Sequence, residues 1–402
     1  MPATLTPARV TTAAHATTPT AARRLTSLDV TRGVVMLLMA IDHVRVYSGL
    51  PAGGPTAGIF LTRWVTHFCA PAFVFFAGTS AFLSARTRTT ADLSRHLVVR
   101  GAWLVLLELT VIRLAWTFNV DYAHYVLAGV IWMLGVCMML LAGLVWLPTA
   151  GIAAFGLIAI FAQNIVGAIA QATPESLRAS VGWIWQVLYF GGVFTLGSNG
   201  PRVAVLYSIV PWIGVMAAGY AFGAIMVREQ AERRRLCLQI GLSATALFLL
   251  IGGLSVALAS PPAGAPPAWI RLLNQQKYPA SQLFLLMTLG PTIALLPFAE
   301  RARGVAGDAL AVFGRVPLFY YLLHIPAIHA AAVLVSVVRE GRANAWLFAN
   351  HPMMPGPVPN GYTWSLPLLY VVFVVVVSLL YFPCRWFAGV KARHPAGLVR
   401  YL

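Results

Sequence analysis

The segment VLAGVIWMLGVCMMLLAGLVWL, residues 126–147, contains no charged side chain. At about 1.5 Å per residue, a helix of that length reaches across the roughly 30 Å hydrocarbon core of a bilayer. Pro148 closes it in a tight turn, and a second apolar run, residues 150–170, begins at once. The two read as a pair of membrane-crossing helices.

Apolar runs of the same kind lie on both sides, near 33–48, 66–83, 97–116, 204–227, 236–259, 281–299, 309–337 and 365–384. The chain therefore reads as all-α, a polytopic transmembrane helical bundle of about ten spans. Composition agrees. Of 402 residues 59% are hydrophobic and 10% charged, whereas soluble domains carry about 25% charged residues. Too few polar residues remain to make a water-facing shell, so the bilayer is the solvent for most of the surface. The even spread of apolar runs argues for one integrated domain over residues 23–392. Ahead of it, residues 1–22 are mostly Ala, Thr and Pro and are expected to be disordered; residues 393–402 read as a cytoplasmic tail. The run from Gly33 leads into Asp42 and His43 rather than a small-residue cleavage site, so it does not read as a signal peptide.

The net charge of +17 does not point to nucleic acid. The basic residues fill the gaps between apolar runs instead of forming one face, which is the topology signal of a membrane protein. Arg86, Arg88, Arg95 and Arg100 mark one cytoplasmic loop, and Arg228, Arg233, Arg234 and Arg235 another. An even number of crossings must separate them. The runs starting at 97, 126, 150 and 204 supply that number, so residues 181–199, although apolar, are expected to be re-entrant or interfacial rather than spanning. Both termini then face the cytoplasm of an inner (plasma) membrane. Cys69, Cys137, Cys237 and Cys384 each lie in or beside an apolar run without a C-x-x-C pair. They read as small buried side chains, with neither a disulfide framework nor a metal site.

Ionisable groups inside a membrane are costly, and each is a functional candidate. On the first helix Asp29, Arg32, Gly33, Met36, Ala40, His43 and Tyr47 share one face. Asp29 and Arg32 are spaced to pair at the cytoplasmic mouth. His43 lies farther along, toward the extracytoplasmic side, where its titration near neutrality suits a general base. Asp42 leaves the helix on another side. His67, on the second apolar run, falls near the depth of His43. Glu108 and Arg113 lie in the third run; Asp121 and His124 follow it, three residues apart. Tyr320, Tyr321 and His324 stand within one turn of each other, with Arg315 at the cytoplasmic end of the same segment. Each of these has a structural reading as well, as an ion pair, a packed histidine or an interfacial aromatic.

The string LDVTRG at 28–33, followed by an apolar run and His43, resembles the opening of integral-membrane acyltransferases that decorate surface sugars. The segment THFCAPAFVFFAGTSAFL at 66–83 more specifically resembles the heparan-alpha-glucosaminide N-acetyltransferase catalytic-domain family in its bacterial members, as do HYVLAGVIWMLG, YSIVPWIGVMAAGYAFG and RVPLFYYLLHIP. The resemblance covers roughly residues 24–390. It implies transfer of an acetyl group from cytoplasmic acetyl-CoA to an extracytoplasmic acceptor, an amino sugar or other glycan, with no metal. His43, or His67, is then the acyl-transfer histidine, either as base or as acyl carrier, with Asp42 assisting. Arg32, Arg100 and Arg315 would hold the anionic CoA head. Asp29, Glu108, Arg113, Asp121, His124, Tyr320, Tyr321 and His324 would line the substrate pocket. One departure stands out: lysosomal members carry Asn at the position of His43 and a histidine in the following loop, and here that loop, residues 44–66, has none. A transporter or permease of a small solute or lipid-linked intermediate fits the same intramembrane charges, and a haem or quinone protein would use paired histidines.

Overall fold

The computed structural model describes residues 26–54 and 56–394. The expected disordered tail lies outside these residues, as do residues 395–402 of the expected cytoplasmic tail. In chain order the elements are α1 (Thr26–Ser48), α2 (Ala57–Trp64), α3 (Cys69–Ala85), α4 (Thr90–Leu107), α5 (Arg113–Thr117), β1 (Tyr125–Ala128), α6 (Val130–Leu144), α7 (Thr149–Phe161), α8 (Gln163–Gln171), α9 (Glu175–Trp185), β2 (Gly192–Thr195), β3 (Arg202–Val205), α10 (Val210–Met226), α11 (Gln230–Leu258), α12 (Ala268–Leu273), α13 (Gln282–Ala299), α14 (Gly304–Arg315), α15 (Pro317–Glu340) and α16 (Leu366–Arg393). A turn of 3-10 helix joins α2 to α3, and a π-helical turn, Glu108–Ile112, joins α4 to α5.

Among the described residues, five helical stretches are long and apolar enough to cross a membrane: Ala57–Ala85, Gln230–Leu258, Gln282–Ala299, Pro317–Glu340 and Leu366–Arg393. The pair α7 and α8, bent by 49°, makes a sixth if taken as one span, and α6 and α10 are apolar but shorter. α1 is long, but Asp29, Arg32, Asp42 and Arg45 interrupt its apolar run.

Three expected spans are built differently. Residues 126–147 are not one helix. The first residues form β1, and α6 begins only after Gly129. Residues 204–227 likewise open in β3, with α10 starting at Val210. Residues 309–337 break between α14 and α15 where Pro317 follows Val316; proline has no N–H to donate to the preceding turn, and its ring clashes with the carbonyl there. Residues 181–199, expected to be re-entrant or interfacial, are not a single helix. A π-helical turn after α9 ends at Gly191, in the left-handed region at φ 71°, and β2 follows. The chain is mostly helical, as expected, and three short strands add to the all-α reading. β3 pairs parallel with β1 and antiparallel with β2, giving a three-stranded sheet in the order β1-β3-β2.

Small residues set the helix packing. A Cβ built on Gly314 would stand 1.7 Å from the Asp29 carbonyl oxygen, and one on Gly33 would stand 2.0 Å from that of Leu310. α1 and α14 therefore touch backbone to backbone. Gly101 and Gly135 do the same for α4 and α6, each with its built Cβ 2.5 Å from the other's carbonyl oxygen. Such close approach through small residues replaces the hydrophobic drive that lipid cannot supply between helices.

Two ends of the bundle result. The basic end holds the C-termini of α3, α10, α13 and α16 and the N-termini of α4 and α11, with Arg86, Arg88, Arg95, Arg228, Arg233 and Arg301. The sheet end holds the C-termini of α1 and α5 and the start of α6 and α10. There Tyr47 donates from its hydroxyl to the Trp116 carbonyl (2.6 Å), Tyr362 donates to the Tyr47 carbonyl (2.7 Å), and the Trp364 amide donates to the Ser48 carbonyl (2.9 Å).

Candidate functional site

His43 and His324 form one hydrogen-bonded unit. His43 Nδ1 lies 2.7 Å from His324 Nε2, with the two rings stacked at a centroid distance of 4.8 Å. His324 is fully buried, and its Nδ1 lies 2.8 Å from the Tyr321 carbonyl and 3.2 Å from that of Tyr320. A carbonyl only accepts, so this Nδ1 carries the proton and donates. His324 Nε2 is then a bare lone pair, which fixes the proton of His43 on Nδ1 and leaves His43 Nε2 as an acceptor. Trp116 packs its edge on the His43 ring at 4.8 Å, and Tyr321 stands 6.5 Å away.

Two cavities lie along this axis. The inner one, about 290 Å³, opens at the basic end. Arg32, Arg100, Arg315, Lys391 and His96 line its mouth. Its walls are apolar, from Met36, Leu97, Leu104 and Met138, and Tyr321 lies at its deeper part. No Asp or Glu lines it among the described residues. The three arginines expected to hold a CoA head thus share one cavity, joined by Lys391 and His96. Arg32 also donates to the Phe76 carbonyl (3.0 Å) and to the Ser80 hydroxyl. From Arg32 to His43, α1 rises about 16 Å, so the cation mouth and the histidine pair are separated by roughly half the bilayer core.

The outer cavity, about 300 Å³, lies at the sheet end and is lined by Phe60, Arg63, Trp64, His67, Asn274, Gln275, Lys277 and Tyr278 with Ala52 and Gly53. Asp42, next to His43, joins it to the histidine pair. Its carboxylate accepts from Arg45 Nε at 2.8 Å and ion-pairs with Arg63 at 3.7 Å. Asp42 thus faces two arginines, and the group oriented against His43 is His324. His67 does not touch His43. It packs edge-on against Phe284 in the wall of the outer cavity.

The other candidates separate by position. Of the expected pocket residues, Tyr321 is the one among the described residues that lines either of these two cavities. Tyr320 is buried, stacked on His324 at 5.1 Å with its hydroxyl unpartnered. Glu108 is fully buried, and its Oε2 accepts from the amides of Ile131 (2.8 Å) and Trp132 (3.2 Å). It caps α6, whose own preceding residue, Gly129, has no side chain to do so. Arg113 is fully buried too. It donates to the carbonyls of Tyr125 (3.1 Å), Asp121 (2.6 Å) and Asn119, and to the Thr117 hydroxyl, and so fastens the turn after α5. Asp121 and His124 pair with each other at 2.6 Å on the exposed surface, and that hydrogen bond holds the Asp121 carboxyl below its usual range. Asp29 is buried where α14 crosses α1.

Sequence reading placed His324 near the site but not as the partner of His43, and it passed over Lys391, His96, Arg45, Arg63 and Lys277. One signal was present: the chain has only two lysines, and each lines one of the cavities.

Among the described residues, groups of three or more His, Cys, Asp or Glu side chains that would hold a metal ion do not occur. A model of the family described as Heparan-alpha-glucosaminide N-acetyltransferase, catalytic, matches residues 24–258, from α1 through α11. No curated protein matches the chain.

Proposed function

We propose, from the premise that this chain belongs to the heparan-alpha-glucosaminide N-acetyltransferase catalytic family, that it moves an acetyl group from acetyl-CoA, bound from the basic end, to a sugar or glycan acceptor reaching the site from the sheet end. The observation that carries this reading is the His43–His324 pair standing between a cation-mouthed cavity and an outer one. The basic end is then cytoplasmic, by the same excess of Arg that marks cytoplasmic loops, in the plasma membrane of the cell.

The chemistry follows from the tautomer. An acceptor hydroxyl or amine attacks the thioester carbonyl and passes its proton to His43 Nε2. The imidazolium that forms is stabilised through Nδ1–H donation to His324, itself held by the Tyr321 carbonyl. The carbon–sulfur bond breaks, and the CoA thiolate takes that proton from His43 Nε2 as it leaves, which returns the histidine to its neutral form. At the mouth Arg32, Arg100, Arg315 and Lys391 face the phosphates of the CoA head, and the apolar walls suit the uncharged pantetheine arm.

The test is incubation of the purified protein in nanodiscs with labelled acetyl-CoA and a panel of amino-sugar and hydroxyl acceptors. Label transfer that is abolished by His43→Ala while acetyl-CoA binding persists supports the reading. Substrate flux across vesicles with no acetyl transfer moves it to a transporter.

A further inference from the structure

The outer cavity contains more positive charge and more unmet donors than its walls account for. Lys277 is 7% exposed, yet among the described residues it has no carboxylate within ion-pair distance. Its ammonium lies 5.2 Å from the centre of the Tyr278 ring and 5.5 Å from that of Tyr207. Arg63, Trp64 and His67 line the same cavity; Trp64 Nε1 and His67 Nδ1 are buried without a hydrogen-bond partner, and Arg63 Nε stands 3.7 Å from Asp42, too far to hydrogen-bond. Buried polar groups are nearly always satisfied, and an orphan is costly. Here two such groups, an arginine held by one long ion pair and a buried ammonium belong to residues lining one cavity. Among the described residues the nearby acid is Asp42, already shared between Arg45 and Arg63. With three cations against one anion, the site carries a net positive charge.

We propose that this cavity is an anion subsite that takes the carboxylate or phosphate of an anionic sugar. Lys277 supplies the charge, Arg63 and Trp64 supply fixed donors, and Asn274 and Gln275 supply amides for neighbouring hydroxyls. Aromatic walls from Phe60, Trp64 and Tyr278 suit a sugar face. That the anion belongs to the acetyl acceptor rests on the acetyltransferase reading; the anion site itself does not.

Two measurements separate these. In the first, the full-length protein in nanodiscs is titrated with glucuronate, inorganic phosphate and neutral glucose, and the fluorescence assigned to Trp64 by difference from Trp64→Phe is followed. Glucuronate or phosphate should change that signal saturably, glucose should not, and the arm that binds tighter identifies the group. Lys277→Met should weaken anion binding on the order of tenfold or more, and Lys277→Arg should restore most of it. In the second, KM and kcat are compared for glucosamine, glucosamine 6-phosphate and a glucuronyl-glucosamine disaccharide. Lys277→Met should raise KM for the anionic acceptors alone, with kcat held. No anion response in the first measurement, or a Lys277→Met protein that folds and binds glucuronate and phosphate like the parent, overturns the proposal. Anion binding without any acetyl transfer would retain the subsite and remove the acetyltransferase reading instead.

Discussion

His324 Nε2 accepts from His43 Nδ1 across 2.7 Å, and the two residues come from helices at opposite ends of the chain. The pair makes His324 a positioning residue for the proposed base. Losing the base should lower kcat by roughly 10²–10⁴-fold. His324→Ala should lower kcat by less, because His43 stays but its tautomer is no longer fixed, and it should shift the pH profile of kcat while leaving acetyl-CoA affinity near the parent's. The double variant should be little worse than His43→Ala alone. Additive losses, measured in steady-state kinetics of all three proteins, would show that the pair does not act as a unit.

Cations at the inner mouth should matter for donor binding. Arg315→Gln and Arg100→Gln should each weaken acetyl-CoA binding by about 1.5–3 kcal/mol per lost charged hydrogen bond, while dephospho-CoA or free pantetheine compounds should be affected less. Raising ionic strength should weaken the parent and narrow its gap to the variants. Calorimetric titration in nanodiscs reads this directly; equal affinities in the parent and both variants would remove the mouth as the head-group site.

Glu108 predicts a stability effect. Its carboxylate is the cap of α6, so Glu108→Ala leaves the Ile131 and Trp132 amides buried and unmet, at about 1–3 kcal/mol each. Glu108→Gln keeps an acceptor oxygen and should lose much less. Melting temperatures in one detergent should rank parent, Gln, then Ala. If Ala matches Gln, the cap is not what holds α6.

In the loop between α15 and α16, burial holds the His351 imidazole down to about 4, while its ring nitrogen Nε2 donates to the Trp346 carbonyl. The ordinary value is near 6.5. Between these values the unfolded chain binds the extra proton, so stability due to this group is full above about pH 6.5 and is lost as pH falls toward 4. His351→Gln retains a donor to Trp346 without the titration. Its melting temperature should therefore fall less between pH 7 and pH 5 than the parent's.

The contact between α1 and α14 is closed to side chains. Gly314→Leu or Gly33→Leu must push backbones apart, since even a Cβ would lie within about 2 Å of a carbonyl oxygen. Both should reduce the folded yield in size-exclusion profiles, and Gly253→Leu, with open space around it, should not.

How far the sequence reveals this architecture depends on the kind of information. Apolar period and charge placement reveal helices, the basic end and the Arg32, Arg100 and Arg315 trio, because these follow from local composition. The breaks are less visible. Residues 126–128 and 204–205 look as apolar as the helices they precede, and only a pairing partner some 77 residues away makes them strands. The same holds for the site. His43 announces itself by its polar helix face, whereas its tautomer depends on His324 and the Tyr321 carbonyl, a three-dimensional fact. Lys277 lies in a loop rich in polar residues and reads as surface until its burial is known.

The separation of 281 residues between His43 and His324 also orders events during synthesis. α1 enters the membrane first, and the residue that fixes the proton of His43 is translated only after some thirteen further helices have been made. Lys277, Arg315, Tyr321 and Lys391 emerge late as well, beyond the segment that carries the family likeness. A nascent or prematurely terminated chain therefore holds His43 without the acceptor that fixes its proton, and an inner cavity that lacks Arg315 and Lys391. The complete site is therefore assembled with the last helices rather than accumulating along the way.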